Sequence, residues 1–260
     1  PGWDVVAYDW HAGPGDLLRT LAGGGTVGAD VPVAGGEFGV DEAVGRLRLV
    51  LDDAAAARYR SVAADTVAAV DAVTRLLDPA MTETEAAGAV TGACRAAGLF
   101  TPALMVAGAD RLPRHRHPIP AGRPLGARAM VVVCAERGGL YANLTRFVHF
   151  EPPDAALAGR LAACAEILGR LREATRPGRT LGEVFADCTR FYAEAGHPDG
   201  WRHHHQGGLT GYRSREVIAV PGSEAEIAVG QAFAWNPSLV GAKAEETFLL
   251  TGSGADVLCG

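Results

Sequence analysis

Apolar residues recur at helical spacing through residues 41–77 (Val44, Leu47 and Leu51, then Val62, Val67, Val70, Val73 and Leu76), and the run breaks at Asp52-Asp53. The pattern predicts two helices, the second long and stopped by Pro79. Thr82-Glu83-Thr84-Glu85 then reads as a capping box opening a helix to about residue 97. The same plan returns downstream. Residues 154–175 read as helix, Pro177-Gly178 stops it, and Thr180 with Glu183 starts another helix to about residue 195. Each helix pair is followed by β-rich sequence: residues 129–134 and 139–150 in the first half, 216–220 and 231–258 in the second. Helices then strands, twice over, predict an α+β domain with an internal pseudo-two-fold duplication, spanning residues 41–260.

Upstream, residues 4–8, 15–21 and 26–30 read strand, helix, strand, followed by a Gly/Pro-rich linker through Pro32-Val33-Ala34-Gly35-Gly36 and a boundary near Gly39. Residues 1–40 are too little for a domain of their own and resemble the C-terminal end of an α/β unit. The sequence starts at Pro1 without a methionine, so an upstream portion is expected.

At 260 residues, the chain is long enough to enclose a site. A formal charge of −6 and 21% charged residues favour neither nucleic acid nor an anionic membrane surface as a partner. No apolar run approaches a membrane span, and no leader is visible. The five cysteines form no C-x-x-C pair, and a reduced, cytoplasmic protein is the simpler expectation.

Two motif matches carry no function. Gly23-Gly24-Gly25-Thr26-Val27-Gly28 spells a dinucleotide fingerprint, but it follows a helix and leads into a strand. Phosphate binding needs the reverse order, because the anion sits at the N-terminus of the helix after the glycines. Asn143-Leu144-Thr145 fits a glycosylation sequon but lies in an apolar strand. No G-x-S-x-G elbow and no cysteine beside a histidine supports a covalent triad.

Chemistry concentrates in Arg202-His203-His204-His205-Gln206-Gly207-Gly208-Leu209-Thr210-Gly211-Tyr212, in Trp235-Asn236-Pro237 and in Glu245-Glu246-Thr247. A histidine ahead of a Gly-Gly turn, followed by two positions on separate strands, resembles the second half of the pita-bread family. That family, the peptidase M24 and creatinase-like superfamily, contains methionine aminopeptidases, Xaa-Pro peptidases and creatinase. The resemblance covers about residues 42–260. It implies the pita-bread fold for that span and a creatinase-type N-terminal domain upstream.

In the metal-dependent members, two aspartates, a histidine and two glutamates bridge two cations, which polarise a shared water. On that frame Val132 takes the first aspartate, with Gly126-Ala127 upstream of it, and Asn143, before Leu144-Thr145-Arg146, takes the second. His205 takes the histidine, Asn236 the first glutamate and Glu245 the last. Three anionic oxygen donors have become a valine and two neutral amides, so no metal and no other cofactor is expected. A single zinc on His205, Glu245 and a neighbouring histidine stays open, although adjacent histidines on an extended segment point to opposite faces. Creatinase is the metal-free precedent, but Thr145 and Asn236 stand where the resemblance asks for guanidinium-binding glutamates.

What survives is a polar pocket. His205, His117 and Glu245 are the candidate catalytic residues, since histidine titrates near neutral pH and a carboxylate can fix its tautomer. Asn143, Asn236, Tyr212, Lys243, Glu246, Ser238, His115 and His204 are candidate substrate contacts. Against these stand plainer readings. Lys243 and Glu245 can be a buried pair tying two strands, the Arg114-His115-Arg116-His117 stretch a solvated loop, and Tyr212 a packed ring with its hydroxyl satisfied. The expected activity is a metal-independent hydrolase or lyase acting on a small polar amide or other C–N bond. The alternatives are an inactive homologue that binds a short peptide or small ligand in the cleft, and an atypical metal-dependent Xaa-Pro peptidase. A homodimer is the expected assembly.

Overall fold

A computed structural model describes residues 2, 4–30 and 38–260. They separate into two compact units, 1–48 and 49–260. The first holds helix α1 (Gly15–Ala22), the short parallel pair β1 (Gly28–Ala29) and β2 (Phe38–Gly39), and helix α2 (Asp41–Leu47). The strand expected over residues 4–8 does not form. Val5 is 91% exposed, and among the described residues no strand pairs with that segment. The expected Pro32–Gly36 linker lies outside the described residues. Helix α2 falls on the N-terminal side of the division, whereas the expected boundary near Gly39 would place it on the other.

The second unit shows its duplication element by element. Helix α3 (Asp53–Thr74) begins where Asp52 accepts a 2.6 Å hydrogen bond from the Ala55 amide, which is why the apolar pattern breaks at that point. Its buried positions Tyr59, Val62, Val70 and Val73 keep the helical spacing read from the sequence. Helix α4 (Glu83–Ala96) starts at a capping box in which the Thr82 hydroxyl accepts from the Glu85 amide at 3.2 Å and Glu85 accepts from the Thr82 amide at 2.8 Å. Three antiparallel strands follow in sequence order: β3 (Phe100–Gly108), β4 (Arg128–Arg137) and β5 (Leu140–His149).

The second half repeats this plan with helices α5 (Ala155–Ala174) and α6 (Leu181–Glu194). At the start of α6, Thr180 and Glu183 rebuild the capping box at the same distances, 3.2 and 2.8 Å. Both capping threonines also make an isolated bridge to a later loop, Thr82 to Pro124 and Thr180 to Glu226. The second sheet contains β6 (Gly207–Thr210), β7 (Val217–Ile218), β8 (Ala232–Trp235), β11 (Glu246–Thr251) and β12 (Gly254–Cys259), in the order β12-β11-β8-β6-β7. A small hairpin of β9 (Ser238–Leu239) and β10 (Ala242–Lys243) interrupts it.

Each half has its own apolar core. Tyr59, Val70, Leu99, Val131 and Val133 fill the first, and Leu171, Tyr192, Phe233, Trp235 and Phe248 the second. Burying an aliphatic or aromatic side chain of this kind is worth about 1.5–3 kcal/mol. The halves are stitched at Thr247, whose hydroxyl accepts from the Asn143 amide at 3.0 Å and donates to the Asn143 carbonyl at 2.9 Å. This stitch lays the polar face of β5 beside the start of β11. Among the described residues, no helix is long and apolar enough to cross a membrane.

Candidate functional site

The cavity grows out of strand alternation. On β4, Val131 and Val133 point into the first core, so Val132 and Cys134 face the other way. Across the ladder Val132 pairs with Thr145, and Cys134 with Asn143. In the second half the lining residues stand just off strand ends: His205 before β6, Asn236 after β8 and Glu245 before β11. The result is a cavity of about 170 Å³ whose walls include His117, Asn143, His205, Arg215, Asn236 and Glu245, with Lys243 beside them.

The local backbone explains how His205 arrives there. Gly207 and Gly208 have φ of +123° and +147°, and a Cβ on either would lie 2.1 Å from the Ala234 carbonyl oxygen or 2.2 Å from that of Val217. Only glycine allows this strand to approach its neighbours so closely. Gln206, fully buried, accepts from the Tyr192 hydroxyl at 2.8 Å and donates to the carbonyls of Trp201 (3.0 Å) and His204 (2.9 Å). The side chain therefore holds the turn carrying both histidines. On the opposite wall, Glu83 accepts from the amides of Gly108 and Ala121, each at 2.9 Å, and pairs with Arg111. This buried carboxylate pins the loop that presents His115 and His117.

Glu245 organises the electrostatics. Its Oε2 accepts from the Thr145 hydroxyl at 2.7 Å and sits 3.1 Å from Lys243 Nζ, and its Oε1 is 3.5 Å from an Arg215 Nη2. The Glu245 and Lys243 side chains are only 5% and 4% exposed. Burial by itself would push the Glu245 carboxyl up, but the Lys243 and Arg215 charges and the Thr145 hydrogen bond outweigh it and hold it below the usual range. The buried Lys-Glu pair is thus present.

Three imidazoles run in a row. His117 meets His204 edge to face at 5.6 Å, and His204 meets His205 at 6.2 Å. His204 is extended, and as expected for such a segment the two rings part: His205 lines the cavity, while His204 turns to Ser238. Desolvation, then the Arg215, His117 and Lys243 charges, push His205 down to about 4, with Glu245 opposing. His205 is exposed and lines the cavity. Desolvation and the Lys243 charge take His204 to about 3, and the same two causes lower His117. All three are neutral at pH 7.

The other candidates separate from this cavity. The His204 ring is hydrogen-bonded through Nε2 to the Ser238 hydroxyl at 2.7 Å, and Arg116 donates to that hydroxyl at 3.0 Å. Ser238, Arg116 and His115 line a smaller adjoining pocket of about 70 Å³, which shares Lys243. Glu246 points the other way and pairs with Arg172 at 2.7 Å, and burial raises its pKa despite that partner. Tyr212 lies outside the cavity, with its ring against Gly139 and its hydroxyl accepting from Arg58 at 3.3 Å. The wall position is taken by Arg215, three residues on in the turn, which the sequence reading missed. Arg215 sits in a polar turn, Tyr212-Arg213-Ser214-Arg215-Glu216, so no local signal singled it out. Cys134 was missed as well; burial pushes its thiol up to about 12, so it is protonated and no nucleophile.

The donor set does not fit a dinuclear metal centre. Val132 offers no donor, Asn143 and Asn236 offer neutral amides, and the carboxylate of Glu245 already has partners on both oxygens. No cluster of three or more His, Cys, Asp or Glu suited to a metal ion occurs among the described residues.

The model of metallopeptidase family M24 matches residues 57–252, and the chain belongs to that family. Its fold is the pita-bread fold. Dipeptidase PepE from Mycobacterium ulcerans superposes with a TM-score of 0.81 at 22% identity, over 95% of this chain and 72% of that one. The prolidase from Pyrococcus horikoshii OT3 gives 0.83 at 17% identity, over 95% and 77%. The X-Pro aminopeptidase from Thermotoga maritima MSB8 gives 0.79 at 18%, over 94% and 70%. A search of curated proteins finds no match.

Proposed function

We propose that the chain is a metal-independent M24-family protein whose cavity receives a short peptide or another small amide-bearing molecule as a bound ligand. The observation that carries this reading is the state of Glu245. With Thr145 and Lys243 on one oxygen and Arg215 near the other, it is free neither to bridge cations nor to orient an imidazole. The likeness to structures titled dipeptidase, prolidase and X-Pro aminopeptidase supports a peptide-like ligand class. The N-terminal unit is read as the end of a creatinase-type domain. The expected homodimer stays part of the proposal, as does a cytoplasmic setting, which five free buried cysteines favour.

One observation favours a hydrolase: His117 and His205 line the same cavity as neutral bases. A base near pKa 4 is weak, since proton transfer is most efficient when the catalytic pKa lies near the working pH. The test offers dipeptides, Xaa-Pro substrates and small amides, with calorimetry for binding and mass spectrometry for product. Binding unaffected by chelator, with the ligand recovered intact, supports the proposal. Chelator-insensitive turnover lost about 100-fold or more in His205→Gln supports the hydrolase instead. Turnover abolished by chelator and restored by Mn, Co or Zn overturns metal independence.

A further inference from the structure

The cavity has changed sign relative to the cation site that its frame implies. Arg215 and Lys243 face one carboxylate, Glu245, and the lining histidines are neutral, so the walls carry one net positive charge. Three buried polar atoms on residues that line the cavity have no partner among the described residues: Asn143 Nδ2, Asn236 Oδ1 and Arg215 Nε. The two asparagines are only 4% and 3% exposed. Leaving such groups dry and unpaired is unfavourable, and three together in one cavity mark the place of a ligand with matching polar atoms.

Resting on the ligand-binding reading above, we propose that this ligand is a small monocarboxylate, its carboxylate received by Arg215 and Lys243 and a neighbouring amide N–H donated to Asn236. Asn143 donates its side-chain N–H to the ligand's remaining oxygen. An anion thus sits where the metal-dependent members of the frame hold cations. One net positive charge matches a monoanion, whereas a phosphate dianion would add a surplus negative charge beside Glu245. Arginine suits the role because its fixed fork offers the Nε–H together with an Nη–H to two oxygens. At about 170 Å³ the cavity is smaller than the pockets that take drug-sized molecules, and suits an acylated amino acid.

The probe is N-acetylglycine, with N-acetylglycinamide as its neutral isostere and inorganic phosphate as a second anion. Each is titrated into the whole chain while the ¹⁵N signals of Arg215 Nε–H and of the Asn143 and Asn236 amides are followed. N-acetylglycine should shift all three saturably, the isostere should bind at least 10-fold more weakly, and phosphate should not compete. Arg215→Gln should abolish the shift at the asparagines. Arg215→Lys, which retains the charge, should recover part of it, and circular dichroism checks that both variants fold. Equal binding of acid and isostere, or acid binding unchanged in Arg215→Gln, overturns the carboxylate assignment while leaving a ligand cavity in place. Competition by phosphate shows a general anion site and overturns it as well. If no probe perturbs any of the three signals, the ligand-binding reading fails together with this one.

Discussion

Replacing Glu245 by glutamine keeps the shape of the side chain and removes the only anion among the described residues of the cavity wall. Lys243 and Arg215, 4% and 9% exposed, would then face each other without a counter-charge. Removing one partner of a buried pair costs about 3–5 kcal/mol, and solvent reaching this cavity argues for the lower end. The reciprocal change, Lys243→Met, leaves Glu245 with Thr145 at 2.7 Å and Arg215 at 3.5 Å, so its cost should be nearer about 1–2 kcal/mol. The double variant restores neutrality between the two positions and should be less destabilised than the sum of the singles, with a coupling of about 0.5–3 kcal/mol. Urea unfolding followed by circular dichroism reads these differences as midpoint shifts at constant slope. A typical total stability of about 5–15 kcal/mol leaves the variants folded for the measurement. Strict additivity, or a Glu245→Gln cost smaller than that of Lys243→Met, would refute the view that Glu245 is the counter-ion of the cavity.

Acid should destabilise the protein before its carboxylates titrate. His204 falls from about 6.5 in an unfolded chain to about 3 when folded, so the unfolded state binds more protons between those values and stability drops as pH falls through that window. Melting temperature should decline from pH 7 to 5, and more shallowly in His204→Gln; equal slopes would refute this. The Glu245 shift acts in the same direction but at lower pH: its contribution is present above its unfolded pKa of about 4.3 and is lost as pH falls through the lower folded value. Gly207→Ala should lose soluble yield or unfold at a clearly lower temperature, because its Cβ would lie 2.1 Å from a backbone oxygen, whereas Gly222→Ala, with no atom within 4 Å, should cost only the strain of its positive φ. Finally, Mn, Co or Zn should leave the melting temperature unchanged, since an ion that does not bind the folded state cannot stabilise it; a saturable rise would contradict the donor-set argument.

The duplicated plan was legible because it is written in local signals. Asp52 and the two Thr–Glu capping boxes act within a few residues of themselves, and the structure follows them to within a residue or two, whereas the long helix ends at Thr74, short of the stop expected from Pro79. Strand β3 was not legible: its first six residues are largely open to solvent and include Pro102, so neither alternation nor an apolar run marks it. The strand expected at residues 4–8 shows the reverse error, a local pattern with no partner strand among the described residues. The cavity was half legible. Asn143, His205, Asn236, Lys243 and Glu245 could be placed from the frame, yet Arg215 and Tyr212 compete for one wall. Which of them turns inward depends on the path of the turn after Thr210, whose hydroxyl donates to the Arg213 carbonyl at 3.0 Å.

The proposed metal-independent reading is compatible with the fold because the positions concerned belong to neither core. Val131, Val133, Phe233 and Phe248 hold the sheets to their helices, while Asn143, His205, Asn236 and Glu245 stand on the opposite face or just beyond the strand ends. In a metal-dependent site several carboxylates converge because cations offset their repulsion. Without the cations that cluster would be self-repelling, and the arrangement at hand relieves it by other means: two carboxamides are neutral, one position is apolar, and the remaining carboxylate is held by two cationic side chains. Each of these changes makes sense only with the others, since Lys243 and Arg215 buried beside a retained carboxylate cluster would compete with metal, and Glu245 alone without them would be an uncompensated charge. On the proposed reading the cavity is a rebuilt site rather than an eroded one, and its polar atoms without partners are what a bound ligand would complete.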